Sequence, residues 1–134
     1  MKVLIDTHII LWAITDSEKL PNTARKILLS FDNEIFYSTA STWEVSIKHS
    51  LHPDQMPLSG KEFSDYCRLA GYKMLPIEDK HISALETLRR VKNAPKHKDP
   101  FDRMIIAQAK AEGMLFVTHD SLLPYYNEPF IIPV

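Results

Sequence analysis

The chain has 134 residues, of which 45% are hydrophobic and 25% are charged, and its formal net charge is −1 at pH 7. This composition excludes a disordered chain and predicts one globular domain over residues 1–134, while the small net charge excludes a global field that attracts nucleic acid or an anionic membrane. The single cysteine excludes an internal disulfide framework, and no apolar run reaches the roughly 20 residues that cross a bilayer, so we expect a cytoplasmic protein with no membrane partner.

Short strands and longer helices alternate along the sequence. A buried-strand pattern over 2–6 is followed by an apolar helix over 7–14, and Asn22 is expected to cap a helix that extends to Phe31. The remaining predicted elements are, in chain order, strand 34–38, helix 40–51, loop 52–60, helix 61–71, strand 72–77, amphipathic helix 78–90, polar loop 91–99, helix 100–112, strand 114–120 and a short strand within 128–134.

This alternation predicts an α/β fold. Strands separated by helices pair in parallel, and right-handed crossovers put helices on both faces of the sheet. We therefore expect three layers, α/β/α, around a central, mainly parallel sheet of four to five strands. In such folds ligands bind at the carboxyl ends of the strands, so chemically active side chains are expected directly after the strands.

The segment "KHKDPFDRMIIAQAKAEG", residues 96–113, sets two aspartates around a proline at the start of a helix. Asp99 is suited to cap this helix, Pro100 to its first position, and Asp102 to the third position, where a carboxylate can reach back to a free amide. Gly113 then ends the helix. Capping alone explains both aspartates, but a helix start is also a rigid place to hold a carboxylate for chemistry.

Acidic residues follow the predicted strands. Asp6 and Asp120 come at or just past the ends of two strands, and Glu44 lies one turn into the helix after another. Two carboxylates about 4 Å apart repel by roughly 4 kcal/mol at an effective dielectric constant near 20, so a cluster either holds protons or binds a cation. Oxygen ligands favour Mg²⁺ or Mn²⁺. Taken singly, each acid also fits a helix cap, a turn or a solvated helix position.

Four blocks carry these acids, namely "LIDTHIILWA", "STASTWEVSIK", "HKDPFDRMIIAQA" and "LFVTHD". In order and spacing they resemble PIN-domain ribonucleases, and in particular the VapC-type toxins of type II toxin–antitoxin pairs. The resemblance implies a PIN-like fold and an endoribonuclease that hydrolyses RNA phosphodiesters with Mg²⁺ or Mn²⁺. It also implies a homodimer and a small cognate antitoxin as partner.

The same resemblance assigns residues to roles. It gives the catalytic and metal-binding carboxylates as Asp6, Glu44, Asp102 and Asp120. Asp99 matches a further acidic position, which either binds the metal or only caps the helix. Thr7 and Thr118 resemble supporting hydroxyls beside the acids.

Basic and aromatic residues near the acids suggest how RNA is bound. The candidate RNA-binding residues are Arg89, Arg90, Lys92, Lys96, Lys98 and Arg103. Such a group can hold a phosphate backbone with an affinity that falls as salt rises, although each member also fits a solvated loop or helix end. Trp12, Trp43 and Phe101 can stack on bases, but their spacing favours core packing.

Two other functions stay open on the sequence. A metal-independent nuclease would use histidines as acid and base, and His97 and His119 lie near the acids; such an enzyme leaves a cyclic phosphate. Alternatively, the chain is a non-catalytic protein- or RNA-binding module with an acidic docking edge. A docking surface of that kind would show no Mn²⁺-dependent change in thermal stability.

Overall fold

The computed structural model describes residues 1–134, the whole chain. The strands are β1 (Lys2–Ile5), β2 (Glu34–Ser38), β3 (Lys73–Leu75), β4 (Leu115–Thr118) and β5 (Ile131–Pro133). The helices are α1 (Thr7–Ile14), α2 (Asn22–Leu29), α3 (Thr39–Leu51), α4 (Gly60–Leu69), α5 (Asp79–Leu85) and α6 (Pro100–Glu112), and a short 3-10 turn spans Leu123–Tyr126. None of these helices has the length and apolar character needed to cross a bilayer.

The five strands form one parallel sheet in the order β3-β2-β1-β4-β5. Strand β1 lies at its centre, with Val3 beside both Ile35 of β2 and Leu115 of β4. Because β1 is buried on both faces, it consists of consecutive apolar residues rather than an alternating pattern. The predicted parallel α/β sheet is confirmed.

Helices cover both faces of this sheet. Leu4 belongs to a core cluster with α6, whereas its neighbours Val3 and Ile5 belong to a second cluster with α1 and α4. Successive side chains of a strand point to opposite faces, so the two clusters are the two cores of a three-layer arrangement. The expected α/β/α layering is therefore also confirmed.

Helix α5 is shorter than predicted. It ends at Leu85, and the chain tightens into turns so that Leu88 enters the core and the Val91 amide donates to the Tyr125 carbonyl at 2.9 Å. The prediction of a helix through residue 90 is wrong here because burial of Leu88 and pairing of Val91 replace the next helical turn. The 3-10 turn at Leu123–Tyr126, which receives this loop, was not predicted.

Helix α2 also differs from its prediction. Pro21 occupies the N-cap position and Asn22 is the first helical residue, so the proposed Asn22 cap is wrong. The fixed φ of proline suits this position, where the chain has not yet become helical. The helix ends at Leu29, and Phe31 is fully exposed rather than packed on the core.

Candidate active site

The acids cluster at the carboxyl edge of the sheet, where neighbouring strands β1 and β4 end together. Asp6 follows β1, and its amide continues the strand pairing by donating to the Val117 carbonyl at 3.0 Å. The Thr118 hydroxyl donates to Asp6 Oδ2 at 2.7 Å and accepts the Asp120 amide at 3.0 Å. Thr118 thus holds together two acids that are more than a hundred positions apart in the chain.

Each of these two acids also bonds to the backbone next to it. Asp6 Oδ1 accepts the amide of Thr7 at 2.8 Å, and Asp120 Oδ1 accepts the amide of Leu122 at 2.8 Å. These bonds are turn and cap contacts of the kind that the simpler interpretation predicted. They use one oxygen of Asp120, whereas both oxygens of Asp6 have partners. Capping and membership of the acidic cluster therefore occur together.

The start of α6 delivers two further acids. Asp99 is its N-cap, as predicted, and its Oδ1 accepts the amides of Phe101 at 2.9 Å and Asp102 at 3.3 Å. Asp102 does not return to a free amide; its Oδ2 lies 3.1 Å from Nε2 of His97. The helix start therefore uses Asp99 as a cap and directs Asp102 toward His97.

Glu44 completes the group from the first turns of α3. Only 5% of the residue is exposed, which contradicts its interpretation as a solvated helix position. Oε2 lies 3.0 Å from Nζ of Lys48, one turn along the helix. Oε1 is buried and has no hydrogen-bond partner, and a buried carboxylate oxygen without a partner is costly unless a cation or donor approaches it.

Burial and, after it, the neighbouring negative charges raise the pKa of Asp102. Burial is the main cause that raises the pKa of Asp102 to about 8, and the charges of Asp6, Asp99, Glu44 and Asp120 add to it in that order. Burial likewise raises the pKa of Asp6, against the lowering effect of the hydrogen bond from Thr118. The other four acids thus lie close enough to Asp102 to raise its pKa, and Glu44 lies close enough to Asp6 to do the same.

Two hydroxyls and two histidines border the acids. The Thr118 hydroxyl contacts Asp6 directly, whereas the Thr7 hydroxyl pairs with that of Ser41 at 2.7 Å and so links α1 to α3. His119 is exposed and bonds to the Val134 carbonyl. His97 is nearly buried, and one of its ring nitrogens lies within 4.8 Å of a carboxylate oxygen of Asp102 and one of Asp120.

Two of the acids, Asp6 and Asp120, line a cleft of about 220 Å³ that opens to solvent. Its walls are Asp6, His8, Trp12, His119 and Asp120. The edge of Trp12 meets His119 with 5.6 Å between ring centroids. The side chain of Trp12 is half-buried against the core cluster of α1 and α4, as its spacing predicted.

The basic residues fall into two groups. Lys92, Lys96 and Lys98 are exposed or half-exposed in the loop before α6 and form no ion pair. The arginines are tied to the fold: Arg89 donates to the carbonyls of Glu86 and Leu88, and the Arg90 guanidinium lies 5.5 Å above the Tyr126 ring. Arg103 is half-buried, and its Nε has no partner. The exposed cationic side chains of this segment that form no contact with the fold are therefore mainly the lysines.

Trp43 departs from its predicted core position. It is 59% exposed and meets Phe101 edge to face, with 5.1 Å between ring centroids. The two rings border an apolar cavity of about 390 Å³ beside the acids, with Lys98 and Met104 also in its wall. The prediction of core packing is wrong for Trp43, because the helix turns Glu44 inward and its neighbour outward.

Three contacts of the site were not predicted from the sequence. Lys48 stands four residues after Glu44, a spacing that pairs side chains on one helix face and could have identified it. The Tyr126 hydroxyl lies 2.8 Å from Nδ1 of His97, across 29 residues of chain. No local pattern connects those two residues, and the sequence predicted that His97 lies near the acids but not its contact with Asp102.

Comparison with known proteins gave one family and several similar folds. The family model described as the PIN domain matches residues 3–128. VapBC2 from Rickettsia felis, solved with a DNA fragment from its promoter, is 21% identical with a TM-score of 0.67, covering 100% of this chain and 98% of that chain. A search of the curated proteins gave no match.

Two further structures share this fold at similar distance. A toxin–antitoxin complex from Klebsiella pneumoniae is 16% identical with a TM-score of 0.63, covering 97% of this chain and 95% of that chain. FitAcB from Neisseria gonorrhoeae is 20% identical with a TM-score of 0.58, covering 92% of this chain and 91% of that chain. At these identities the likeness concerns the fold.

Proposed function

The chain belongs to the PIN domain family, and from this premise we propose that it is a Mg²⁺- or Mn²⁺-dependent endoribonuclease and the toxin of a toxin–antitoxin pair. PIN domain proteins are typically nucleases. The observation that carries the proposal is the convergence of five acids at one sheet edge, where the pKa of Asp102 rises to about 8. Such a cluster is stabilised by a divalent cation, and a bound divalent cation can promote phosphodiester hydrolysis by activating water and stabilising charge on the phosphate.

The residues present fit a hard divalent ion. Oε1 of Glu44 is buried without a partner, and a cation beside it would satisfy this oxygen. Both nitrogens of His97 are engaged, by Tyr126 and Asp102, and the donors that the five acids offer are carboxylate oxygens. Oxygen donors favour Mg²⁺ or Mn²⁺ over zinc.

Each acid then has a proposed role. Asp6, Asp102 and Asp120 hold the ion, which when bound supplies Lewis-acid stabilisation of the charge that develops on the phosphate. Glu44 either joins them through Oε1 or accepts at that atom the proton of the attacking water. Asp99 caps α6 through Oδ1 and leaves Oδ2 for the ion. The products carry a 5′-phosphate and a 3′-hydroxyl, as the resemblance to PIN-domain ribonucleases implies.

The supporting groups position these acids and the substrate. Thr118 fixes Asp6 relative to Asp120, and Thr7 fixes α1 against α3. Lys96 and Lys98 lie directly before the α6 acids, where they can hold RNA phosphates on either side of the scissile bond. RNA is the substrate on this proposal, and the cytoplasm is the compartment.

Cleavage of RNA by purified protein tests the proposal. Wild-type protein with Mn²⁺ is expected to cut RNA and leave 5′-phosphate ends, and EDTA is expected to abolish the cut. Asp6→Asn removes a ligand charge at the centre of the cluster, so cleavage is expected to disappear while the fold persists, since repulsion among the acids falls. Asp54→Asn, an exposed loop acid outside the site, is the matched control and keeps activity.

Two results would overturn this mechanism. Cleavage that survives both EDTA and Asp6→Asn, with 2′,3′-cyclic phosphate ends, would assign the reaction to histidines. Absence of both cleavage and Mn²⁺-dependent thermal stabilisation in the wild type would indicate a non-catalytic docking module.

Two protein partners belong to the proposal. The similar structures from Rickettsia felis and Klebsiella pneumoniae are toxin–antitoxin proteins, and we propose that this chain also binds a small antitoxin. An adjacent reading frame whose product copurifies with the chain and blocks cleavage would support this.

The second proposed partner is another copy of the same chain, in a homodimer. Trp43, Ile47 and Leu51 follow one face of α3, and the first and last are well exposed. Leu51→Glu is expected to convert a dimer to a monomer in sedimentation velocity.

A further inference from the structure

A continuous set of side-chain contacts leads from the loop before α6 to the acidic cluster. The Arg90 guanidinium lies over the Tyr126 ring, the Tyr126 hydroxyl lies 2.8 Å from Nδ1 of His97, and Nε2 of His97 lies 3.1 Å from Oδ2 of Asp102. The Tyr126 residue is 3% exposed and the His97 side chain 4%. These contacts are therefore shielded from the solvent that would otherwise compete for each hydrogen bond.

The partners assign the direction of both hydrogen bonds. When a bound cation keeps Asp102 ionised, its Oδ2 can only accept, so Nε2 of His97 then carries the hydrogen and donates to Asp102. In a neutral ring Nδ1 is then the acceptor, and the Tyr126 hydroxyl is its donor. Hydrogen bonds hold the His97 ring at both nitrogens, so its Nε2–H group points toward Oδ2 of Asp102.

The hydrogen bond from His97 to Oδ2 of Asp102 also determines the orientation of the other carboxylate oxygen, Oδ1. With Oδ2 engaged by His97, the carboxylate plane cannot rotate freely, and Oδ1 carries no hydrogen bond within the protein. An oriented carboxylate with one free oxygen is a better ligand than a freely rotating one, because less conformational entropy is lost on binding.

We propose that His97 is a positioning residue that orients Asp102 toward the divalent ion, with Tyr126 holding the His97 ring in place. The inference rests on the proposed function and goes beyond it, since it adds a residue that contacts neither the ion nor the substrate. Hydrogen-bond partners of this kind change metal affinity or activity by about 10- to 100-fold when they are removed.

A purely structural role for His97 is the alternative to be separated. Between residues 89 and 98 the loop has two backbone hydrogen bonds, from the Val91 amide to the Tyr125 carbonyl and from the Ala94 amide to the Val91 carbonyl. His97 therefore also fastens the end of this loop. Loss of loop anchoring lowers stability in every variant, whereas loss of orientation changes the response to the ion.

The test compares His97→Ala with His97→Gln, whose amide can donate from a position similar to Nε2, and uses exposed His52→Ala as the matched control. For each protein, we would measure the Mn²⁺ concentration at half-maximal thermal stabilisation, together with kcat and KM for RNA. His97→Ala is expected to raise the Mn²⁺ midpoint by about 10- to 100-fold and to lower kcat with little change in KM. His97→Gln is expected to recover part of both losses, and Tyr126→Phe to show a smaller loss.

The outcomes separate this inference from the proposed function. Should wild-type protein respond to Mn²⁺ and cut RNA while His97→Ala keeps the same midpoint and kcat, only the role of His97 is overturned. Equal melting-temperature losses in His97→Ala and His97→Gln without a change in Mn²⁺ midpoint would assign His97 to loop anchoring. If His97→Ala does not fold, His97→Gln and Tyr126→Phe decide by the same readouts. A wild type without Mn²⁺ response or cleavage overturns both.

Discussion

Asp102 is the residue whose charge state connects the stability of the protein to its proposed chemistry. Its pKa in the folded protein is about 8, against 3.8 for the unperturbed group, mainly because of burial and then because of the neighbouring acids. Between these two values the folded state holds a proton that the unfolded state has released. The contribution of this group to stability is thus complete below about pH 4 and is lost as pH rises toward 8.

We therefore predict that the metal-free protein loses stability as pH rises. Urea denaturation in EDTA at about pH 5 and about pH 8 is expected to show a fall of about 1 kcal/mol or more in the free energy of unfolding. Asp102→Asn cannot ionise, so its fall should be smaller. The burial that lowers the pKa of His97 acts in the opposite direction, over the range between that lowered pKa and its ordinary value of 6.5.

Saturating Mn²⁺ at about pH 8 is the companion measurement. Because the ion binds the ionised cluster, it should restore the stability of wild-type protein and have less effect on Asp102→Asn. If the free energy of unfolding in EDTA rises with pH in both wild type and Asp102→Asn, its pH dependence is not due to Asp102.

Lys48 is predicted to stabilise the metal-free site through Glu44. Lys48→Met leaves a carboxylate that is 5% exposed with no partner on either oxygen, so the free energy of unfolding in EDTA should fall by about 1 kcal/mol. Lys61→Met breaks an exposed pair of the same spacing with Asp65 on α4 and should change stability by no more than about 0.5 kcal/mol. Equal losses would show that the burial of Glu44 is immaterial.

Among the elements, α6 begins with two aspartates that have different roles. Asp99 caps the helix, and Asp102 in its first turn belongs to the acidic cluster. Asp99→Ala removes the acceptor of two amides and is expected to lower the free energy of unfolding by about 1 kcal/mol, whereas Asp99→Ser keeps a capping oxygen and should lose only a few tenths. Thermal or urea denaturation in EDTA measures both. Identical losses in the two variants would remove the cap as the explanation.

Asp99→Ser also separates the two roles that the sequence left open for Asp99. The serine hydroxyl caps the helix but carries no charge, so any rise in its Mn²⁺ midpoint measures the contribution of the free Oδ2. An unchanged midpoint assigns Asp99 to the helix cap alone.

Local patterns predicted the elements well where local forces determine them. The buried run of β1, the Asp99 cap and the left-handed Gly113 that ends α6 all follow from short-range chemistry. The pattern failed after Leu85, where an amphipathic sequence continues but Leu88 packs into the core and ends the helix. Tertiary packing outweighs helix propensity at such a point.

The candidate site was predictable to the extent that strand order is predictable. Parallel pairing of β1 with β4 brings Asp6 beside Thr118, which also bonds to Asp120. The rule that sites lie at the carboxyl ends of parallel strands was therefore sufficient to predict the positions of Asp6 and Asp120. The bond between His97 and Tyr126 depends on how a loop and a 3-10 turn pack, and neither has a periodic pattern. Trp43 was misplaced for a related reason, since helical spacing does not determine which face of α3 meets the sheet.

For the whole molecule, near neutrality makes the location of charge more important than its total. The net charge of −1 cannot attract RNA, and the acidic cleft repels it in the absence of a cation. Lys92, Lys96 and Lys98, which share the loop that leads into α6 and its two acids, are the groups that can offset this repulsion locally. Binding of RNA is then expected to depend on this loop rather than on lysines elsewhere.

The salt dependence of RNA binding tests this arrangement. In the inactive Asp6→Asn background, replacing Lys96 and Lys98 by alanine should weaken binding and reduce the slope of log Kd against log salt by about 0.7 for each RNA phosphate that no longer meets a lysine. The matched control replaces Lys26 and Lys61, on α2 and α4, and makes the same change in net charge. If RNA binding depends on net charge alone, both double variants reduce the slope equally. If it depends on the loop before α6, only the replacement of Lys96 and Lys98 reduces the slope, because counterions are released only where phosphates touch the protein.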